Sequence, residues 1–359
     1  MKPDYVIVFC LAALVIFGLV MLVSASSNLG QFRFGDSYYY IKHQLLYGFL
    51  PGLIGFFAAS RIYYRRYQKI AVFLGLISVT LLFLVFTPLG FSSGGADRWL
   101  KIGPITFQPA EIVKLTFIVY LAAWLGGNKE RSQNLAKGFL PFLIISALVG
   151  ALLLKQPSTS AAVILIATAL IIYFASGAKL SYLAGMILLG ILALALVIYL
   201  TPYRFNRVLN FLSPDTNPQG GGYHINQALI AIGSGGWFGV GYGQSTTKIK
   251  YLPEPIGDSI FAVIAEELGF IGSAILIIIF LILILKIFSL AKKSPDRFGK
   301  LLLIGFASLI AIQTFTNIAA ISGLIPLTGS PLPFISYGGT ALAVFMTMGG
   351  VIVNISKHT

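Results

Sequence analysis

The chain has 359 residues, of which 57% are hydrophobic and only 10% are charged, and its mean hydropathy is +0.89. A soluble fold is excluded, because so few polar residues cannot cover a core with a wetted surface, and lipid must be the solvent. The formal charge of +14 does not indicate nucleic acid, because the Lys and Arg residues are not gathered on a polar domain; such a bias typically orients a chain in a membrane.

Apolar runs long enough to cross about 30 Å of hydrocarbon recur along the whole chain. They predict an all-α polytopic membrane protein with about ten transmembrane helices, near residues 5–24, 44–60, 70–87, 108–125, 138–154, 159–176, 181–200, 258–285, 301–323 and 337–355. The first run is similar to a secretory signal, since Lys2 precedes it and Val23-Ser24-Ala25 closes it, but the many later spans favour a retained helix. Because Cys10 is the single cysteine and the histidines are far apart, neither a disulfide nor a His/Cys metal site is expected.

The positively charged residues predict an orientation for these helices. With a cytoplasmic N-terminus, fifteen of the 25 Lys and Arg residues fall in inner segments and nine in outer segments, and Lys114 falls inside the fourth span. This bias predicts that both termini are cytoplasmic. We therefore expect a single transmembrane domain over residues 1–359, with a large extracytoplasmic loop at about 201–257, between helices 7 and 8. Long structured loops are usually functional.

Two groups of ionisable residues fall inside predicted spans, where charge is costly unless it is paired or wet. Glu111 and Lys114 are three residues apart on the fourth span and share one helix face. A buried pair that only neutralises itself accounts for them as well as a Lys114 that also faces a polar cavity. Glu266 and Glu267 lie two turns inside the eighth span, where only partners or water can keep them charged.

The outer loops contribute further candidates for an anionic ligand. Asp258 opens the eighth helix, and its position alone favours a helix N-cap over a functional role. Arg98 presents a guanidinium that can clamp a phosphate or pyrophosphate, whereas its neighbour Trp99 is typical of an interfacial belt. Further cations lie on the same side: Arg204, Arg207, Lys248 and Lys250. Together they indicate an anionic head group, although solvated loop charge explains them equally well.

The glycine-rich segment 233–243 is superficially similar to a dinucleotide-binding fingerprint. No strand precedes it and no βαβ pattern surrounds it, so that interpretation fails. Close backbone packing or a re-entrant turn is the better prediction, both here and for residues 329–340.

Several motifs, in order along the chain, resemble the SEDS family of bacterial cell-wall proteins, named for shape, elongation, division and sporulation. The resemblance covers nearly the whole chain and rests on residues 96–99 (ADRW), 108–111 (QPAE) with Lys114, 156–157 (QP), 223–236, 251–255 (YLPEP), 261–269 and 331–339 (PLPFISYGG). Segments 233–236 and 251–255 resemble the division and sporulation branches more than the elongation branch, and the division branch is favoured.

The resemblance implies a peptidoglycan glycosyltransferase in the bacterial cytoplasmic (inner) membrane. Such an enzyme polymerises lipid II into undecaprenyl-linked glycan on the outer face and pairs with a class B penicillin-binding protein, a transpeptidase. The family's proposed catalytic aspartate falls on Asp258, although its usual His-Thr-Asp-Phe is Ile256-Gly257-Asp258-Ser259 here. The expected substrate-binding residues are Arg98, Trp99, Glu111, Lys114, Lys155, Gln156, Arg207, Glu254 and Ser336. No metal cage is predicted, but a divalent cation, Mg²⁺ or Mn²⁺, bridging Asp258 or Glu254 to pyrophosphate remains open.

Two other functions are compatible with these residues. A lipid II flippase could use Glu111 and Lys114 to line a path. Inverted repeats with broken helices would favour this function, but the sequence does not display them. A non-catalytic scaffold that activates the penicillin-binding protein would need the polar residues only for structure.

Overall fold

The computed structural model describes residues 2–93, 96–103, 105–128, 130–212 and 222–359. Residues 213–221 of the predicted large loop therefore lie outside the described residues. The α-helices are α1 (Tyr5–Phe34), α2 (Tyr39–Gln44), α3 (Leu50–Arg61), α4 (Arg65–Lys69), α5 (Ala71–Leu84), α6 (Pro109–Gly126), α7 (Leu140–Lys155), α8 (Thr159–Ala175), α9 (Leu180–Leu200), α10 (Pro202–Leu212), α11 (Tyr223–Ser234), α12 (Thr247–Lys250), α13 (Ile260–Lys293), α14 (Arg297–Ile321) and α15 (Gly339–Ser356).

The long apolar helices make the chain a multi-pass membrane protein. Within the described residues, seven helices are long and apolar enough to cross a membrane: α1, α6, residues 135–155, α9, α13, α14 and α15. Two of the other predicted spans are the shorter apolar helices α5 and α8, and the remaining one is the helical stretch from Tyr39 to Arg61. Each predicted apolar run is therefore helical.

Two helices begin with a wider turn ahead of a proline. Residues Leu45–Phe49 before α3 and Leu135–Phe139 before α7 are π-helical, and Leu50 donates its backbone N–H to the carbonyl of Leu45, five residues back. Pro51 and Pro141 follow in the first turns of α3 and α7 and supply no N–H to the preceding turn. A π turn accommodates such a missing donor without ending the helix.

The core lies around α6 and α14, which are buried on most of their surface, with α8, α13 and α15 packed around them. In contrast, only 11% of the most apolar stretch of α9 is buried within the protein. This helix therefore stands at the periphery and presents its apolar side chains to lipid.

The loop between α5 and α6 forms a small antiparallel sheet that the all-α prediction missed. Strands β1 (Gly90–Ser93), β2 (Ala96–Ile102) and β3 (Ile105–Phe107) pair in the order β1-β2-β3 between α5 and α6. A search for runs of about 20 apolar residues does not detect strands this short. Phe91 faces Trp99 and Ser92 faces Asp97, so Arg98 is the extra residue of a β-bulge, a feature that commonly re-aims a side chain.

Helix α13 is kinked at Gly269, where a second backbone segment crosses it. Gly269 has φ 66° and ψ −165°, a conformation that only glycine adopts readily. A Cβ atom at this position would lie 2.3 Å from the backbone nitrogen of Gly239. The N–H of Phe270 donates to the carbonyl of Gly236 at 2.8 Å. The predicted close backbone packing of the glycine-rich segment 233–243 is thus confirmed.

Candidate active site

A cavity of about 260 Å³ lies where α10, α11 and the start of α13 meet the loop before α15. Its wall comes from two helices and two loop segments: Tyr203, Asn206, Arg207, Asn210, Phe211, His224, Ile225, Asp258, Leu327 and Gly329. Two residues predicted from the sequence, Asp258 and Arg207, therefore share one cavity although they are far apart in the chain.

Asp258 is not the N-cap that its position suggested. The residue before α13 is Ser259, and the helix has no side-chain cap among the described residues. Instead, Asp258 Oδ1 is buried without a hydrogen-bond partner in the described structure. Since a buried polar atom is almost always paired, an unpaired carboxylate oxygen in a cavity indicates a site that a ligand or water completes.

The surroundings of Asp258 favour its protonated form. Burial, and next the negative charge of Glu254, raise the pKa of Asp258 to about 6, while hydrogen bonds from its own backbone and that of Ser259, together with the charge of Arg207, act in the opposite direction. Its backbone is fixed from the bundle core, because Asn317 Nδ2 donates to the carbonyl oxygens of Asp258 at 2.8 Å and of Ser330 at 2.7 Å. Asp258 thus combines a rigid position with a pKa near neutrality, as a general base requires.

Arg207 supplies positive charge to the same cavity from α10. Its Nη1 donates to the carbonyl of Leu327 at 3.2 Å, and its guanidinium carbon lies 4.6 Å from the ring centre of Tyr203. Among the described residues, its other N–H groups have no protein acceptor. A guanidinium held in this way can receive a phosphate or pyrophosphate oxygen.

His224, on α11, is a site residue that the sequence reasoning missed. Its Nε2 lies 2.6 Å from Ser259 Oγ, and the buried Ser259 hydroxyl has no other partner in the described structure. The hydroxyl is best satisfied by donating to Nε2, which places the ring proton on Nδ1. Burial, and then the charge of Arg207, lower the pKa of His224, so the imidazole is neutral near pH 7. The sequence signal was the place of His224 in motif 223–236, one of the motifs on which the family resemblance rests.

Glu254 and Ser336 shape the backbone around Asp258. The carbonyl of Glu254, a residue with a positive φ of 47°, accepts from the N–H groups of Gly257 at 3.0 Å and Ser259 at 3.3 Å. Ser336 Oγ donates to the carbonyl of Gly257 at 2.7 Å and accepts from the N–H of Leu332 at 2.8 Å. Ser336 therefore joins the loop between α14 and α15, residues 322–338, called the proline-rich loop below, to the turn that carries Asp258. The Glu254 side chain lies at the exposed side of that turn.

Glu111 and Lys114 form a buried ion pair that supports the same loop. Lys114 Nζ lies 2.6 Å from Glu111 Oε1 and 2.8 Å from Gln313 Oε1. Gln313 in turn donates from Nε2 to the carbonyl of Pro331 at 2.9 Å. The described structure shows a buried pair in which Lys114 also bonds Gln313 and Glu111 Oε2 has no hydrogen-bond partner, and neither residue lines the cavity.

Three further predicted residues, Arg98, Lys155 and Gln156, lie around the turn after α7 and are not part of the cavity wall. Arg98 donates from Nε to the carbonyl of Gln156 at 3.3 Å and from Nη2 to that of Pro157 at 2.8 Å. The buried Gln156 donates to the carbonyl of Leu82 at 2.7 Å, and the exposed Lys155 stands 4.9 Å from the ring of Phe86. Trp99 is half-buried in β2. The bulge at Arg98 thus aims its guanidinium at backbone carbonyls.

A second buried polar cluster involves Glu267 and shows one predicted outer cation to be structural. Lys248 Nζ lies 2.5 Å from Glu267 Oε1 and 2.8 Å from Ser24 Oγ, with both charged side chains fully buried. The neighbouring Glu266 accepts from Ser245, Thr246 and Thr247. The prediction that Lys248 belongs with the cations facing a head group is therefore wrong, because its charge is neutralised inside the bundle.

Metal ligands are sparse around the site. The described residues contain no group of three or more His, Cys, Asp and Glu side chains that could hold a metal ion. Asp258 and Glu254 are four residues apart on one turn, and their charges interact. These two carboxylates suit Mg²⁺ or Mn²⁺ as partial ligands, because such ions commonly keep water and substrate oxygens in their shell.

The fold and the cavity define a polytopic membrane protein that holds an acid and a cation together at the ends of its helices. The chain belongs to the FtsW/RodA/SpoVE family, described as cell cycle protein, whose sequence pattern matches residues 4–359.

Individual relatives agree with this membership. The chain is 39% identical over 357 residues to a probable peptidoglycan glycosyltransferase FtsW of Trichlorobacter lovleyi, covering 98% of this chain and 93% of the relative. It is 35% identical over 359 residues to the stage V sporulation protein E of Bacillus subtilis, covering 100% and 98%.

Solved structures share the fold along nearly the full length. A chain from a structure described as "Structural coordination of polymerization and crosslinking by a peptidoglycan synthase complex" aligns with a TM-score of 0.80 at 28% identity, covering 100% of this chain and 98% of that one. The rod shape determining protein RodA of Thermus thermophilus aligns with a TM-score of 0.74 at 28% identity, covering 99% and 97%.

Proposed function

We propose that this protein is a peptidoglycan glycosyltransferase that polymerises lipid II into glycan strands at the outer face of the cytoplasmic membrane, in septal wall synthesis. The observation that carries the proposal is the buried, unpaired carboxylate oxygen of Asp258 in the cavity that also holds Arg207. The activity named for the relatives, at 39% identity over nearly the full chain, supports it.

In the proposed reaction, Asp258 is the general base. It takes the proton of the GlcNAc 4-hydroxyl of one lipid-linked disaccharide while that oxygen attacks the MurNAc anomeric carbon of another. The bond to undecaprenyl pyrophosphate breaks, and Arg207 stabilises the charge that develops on the departing pyrophosphate. Arg98, whose pKa is lowered by burial and then by the charge of Arg207, is held by the carbonyls of Gln156 and Pro157 and would add positive charge near Arg207.

Other predicted residues would act at greater distance. Glu254 tunes the pKa of Asp258, and Trp99 and Lys155, which do not line the cavity, would contact other parts of the sugar or the lipid. If the reaction uses a divalent cation, Asp258 and Glu254 are the residues that would hold it, and it would supply charge neutralisation to the pyrophosphate. Glu111, Lys114, Gln156 and Ser336 would bind substrate only indirectly, through the backbone that they fix.

The proposed topology has ten spans with both termini cytoplasmic, which places the cavity on the outer side. The stretch from Tyr39 to Arg61 and the helices α5 and α8 complete the count. The whole chain then acts as one transmembrane domain, in which α10, α11 and α12 belong to the large outer loop at about 201–257.

We further propose that the working partner is a class B penicillin-binding protein. The structural relative is named as part of a peptidoglycan synthase complex that coordinates polymerization and crosslinking, which supports a transpeptidase beside the polymerase. Co-purification of the two proteins, followed by polymerisation with and without the partner, measures how far the activity depends on it.

The decisive experiment is polymerisation of purified lipid II by the full chain in liposomes, with Asp258→Asn as the test variant. We expect the variant to lose about 10²- to 10⁴-fold in rate, because a positioned base contributes that much. A near wild-type rate in a variant with an unchanged melting temperature would remove Asp258 from the mechanism. If labelled lipid II crosses the liposome membrane but no strands form, the protein is a flippase. If the protein alone neither forms strands nor moves lipid II, but a partner synthase becomes active when it is added, the protein is a scaffold.

A further inference from the structure

Helix α10, residues Pro202–Leu212, has two faces of opposite character. One face forms part of the cavity wall and carries the polar residues Asn206, Arg207 and Asn210 between the aromatic rings of Tyr203 and Phe211. The other face carries an apolar stripe of Phe205, Val208, Leu209 and Leu212 at the spacing i, i+3, i+4, i+7. Three of these four side chains, all but Val208, are exposed.

The position of α10 in the chain places it at the edge of the bilayer. Only Thr201 separates it from α9, which is the least buried of the seven long apolar helices in the described residues. The last residues of α9, Tyr199 and Leu200, are themselves 76% and 67% exposed. A helix that starts where such a span ends lies at the level of the lipid head groups.

The charge of α10 fits the same surroundings. Its sequence PYRFNRVLNFL contains two arginines and no acidic residue. Arg204 is directed back to the bundle, where it donates to Thr159 Oγ1 and to the carbonyl of Leu154, both at 2.8 Å. An amphipathic helix with cations and a large apolar face typically lies in the plane of the membrane interface, with its apolar side among the acyl chains.

We propose that α10 is an interfacial membrane anchor, with the stripe of Phe205, Val208, Leu209 and Leu212 seated in the outer leaflet. The lipid surface then holds the opposite face, with Arg207, over Asp258. The bilayer becomes one support of the cavity wall and sets the depth of the cavity relative to the head groups. This assignment concerns the place of α10 in the membrane and does not depend on the reaction proposed for the cavity.

The test is site-directed spin labelling of the full chain in nanodiscs of phosphatidylethanolamine and phosphatidylglycerol. The single native cysteine is buried and is first replaced by Cys10→Ala. Nitroxides are then attached to Leu209→Cys and Leu212→Cys on the stripe, and to Asn206→Cys on the cavity face as the matched control. Collision rates with oxygen, which partitions into lipid, and with a water-soluble nickel chelate measure the surroundings of each label.

We expect oxygen collisions to exceed nickel collisions at Leu209 and Leu212, and the ratio to reverse at Asn206. High nickel accessibility at the stripe would overturn the proposal, because the helix would then stand in water. Shielding of the stripe from both reagents would also overturn it, because protein rather than lipid would cover this face. If one stripe variant fails to fold, the other stripe position decides between these outcomes.

Discussion

At the scale of single residues, the chemistry depends on a few side chains whose properties come from their surroundings. Asp258 in water would be ionised at any physiological pH, but burial and Glu254 bring its pKa to about 6. The pKa of His224 is lowered, because burial and then the positive charge of Arg207 disfavour the protonated imidazole. Arg207 lowers the pKa of both groups, whereas Glu254 acts on Asp258, so substitutions at these two positions distinguish them.

The rate of polymerisation should decrease as the pH falls through about 6. Below its raised pKa, Asp258 is protonated and cannot accept a proton from the substrate. Glu254→Gln removes a like charge, lowers the pKa of Asp258 and should shift this acid limb to lower pH. The pH dependence of kcat/KM in the two proteins measures the shift. The same profile in His224→Gln serves as the control, and an acid limb that follows His224 instead of Glu254 would refute the assignment to Asp258.

His224 should act as a positioning donor toward the anionic end of the substrate. Loss of one hydrogen bond to a charged group weakens binding by about 1.5 to 3 kcal/mol, so His224→Ala should raise KM about 10- to 100-fold with a smaller change in kcat. His224→Gln can still accept from Ser259 and donate to substrate, and it should recover part of the loss. A fall in kcat alone, or equal defects in both variants, would argue for a purely structural histidine.

At the scale of elements, the helix ends around the cavity are held by backbone crossings and buried charge. Gly269 lets the segment at Gly239 pass against α13, and the pair of Lys248 and Glu267 ties α12 to the same helix. Asn317 and Gln313 on α14 hold the proline-rich loop. The cavity thus rests on several rigid elements, which allows Asp258 to stay unpaired.

The kink gives a direct test of this arrangement. Gly269→Ala places a methyl group against the backbone nitrogen of Gly239 and forces alanine into a conformation that costs about 1 to 3 kcal/mol before the clash is counted. We expect a clear fall in the melting temperature of the purified protein in detergent. Gly233→Ala in α11 is the matched control, since no atom lies within 4 Å of its new methyl group and alanine favours helix. Equal melting temperatures for the two variants would show that the crossing is loose.

At the scale of the whole molecule, orientation in the membrane decides which solvent the cavity meets. The excess of Lys and Arg in the segments assigned to the inner side predicts that the loop after α14 is outside and that the loop after α6 is inside. The site is useful to an outer-face polymerase only with this orientation.

Cysteine labelling in intact cells tests the orientation. On a Cys10→Ala background, Leu324→Cys in the exposed loop after α14 should react with a membrane-impermeant maleimide, whereas Asn128→Cys after α6 should react only after the cells are opened. Reaction of both sites in intact cells would contradict the ten-span topology, and reaction of Asn128→Cys alone would invert it.

The sequence by itself determined the elements and the membrane class, because the length of an apolar run and the cost of exposed charge in lipid are local properties. It also marked Asp258 and Arg207 as candidates, and the motifs predicted the family correctly. Only the tertiary structure decided which candidates meet. It brought His224 to the site and joined Arg207 to Asp258, but it assigned Lys114 and Lys248 to buried ion pairs. The reason is physical: whether a charge serves a ligand or the fold depends on partners from distant segments, and neither composition nor spacing records them.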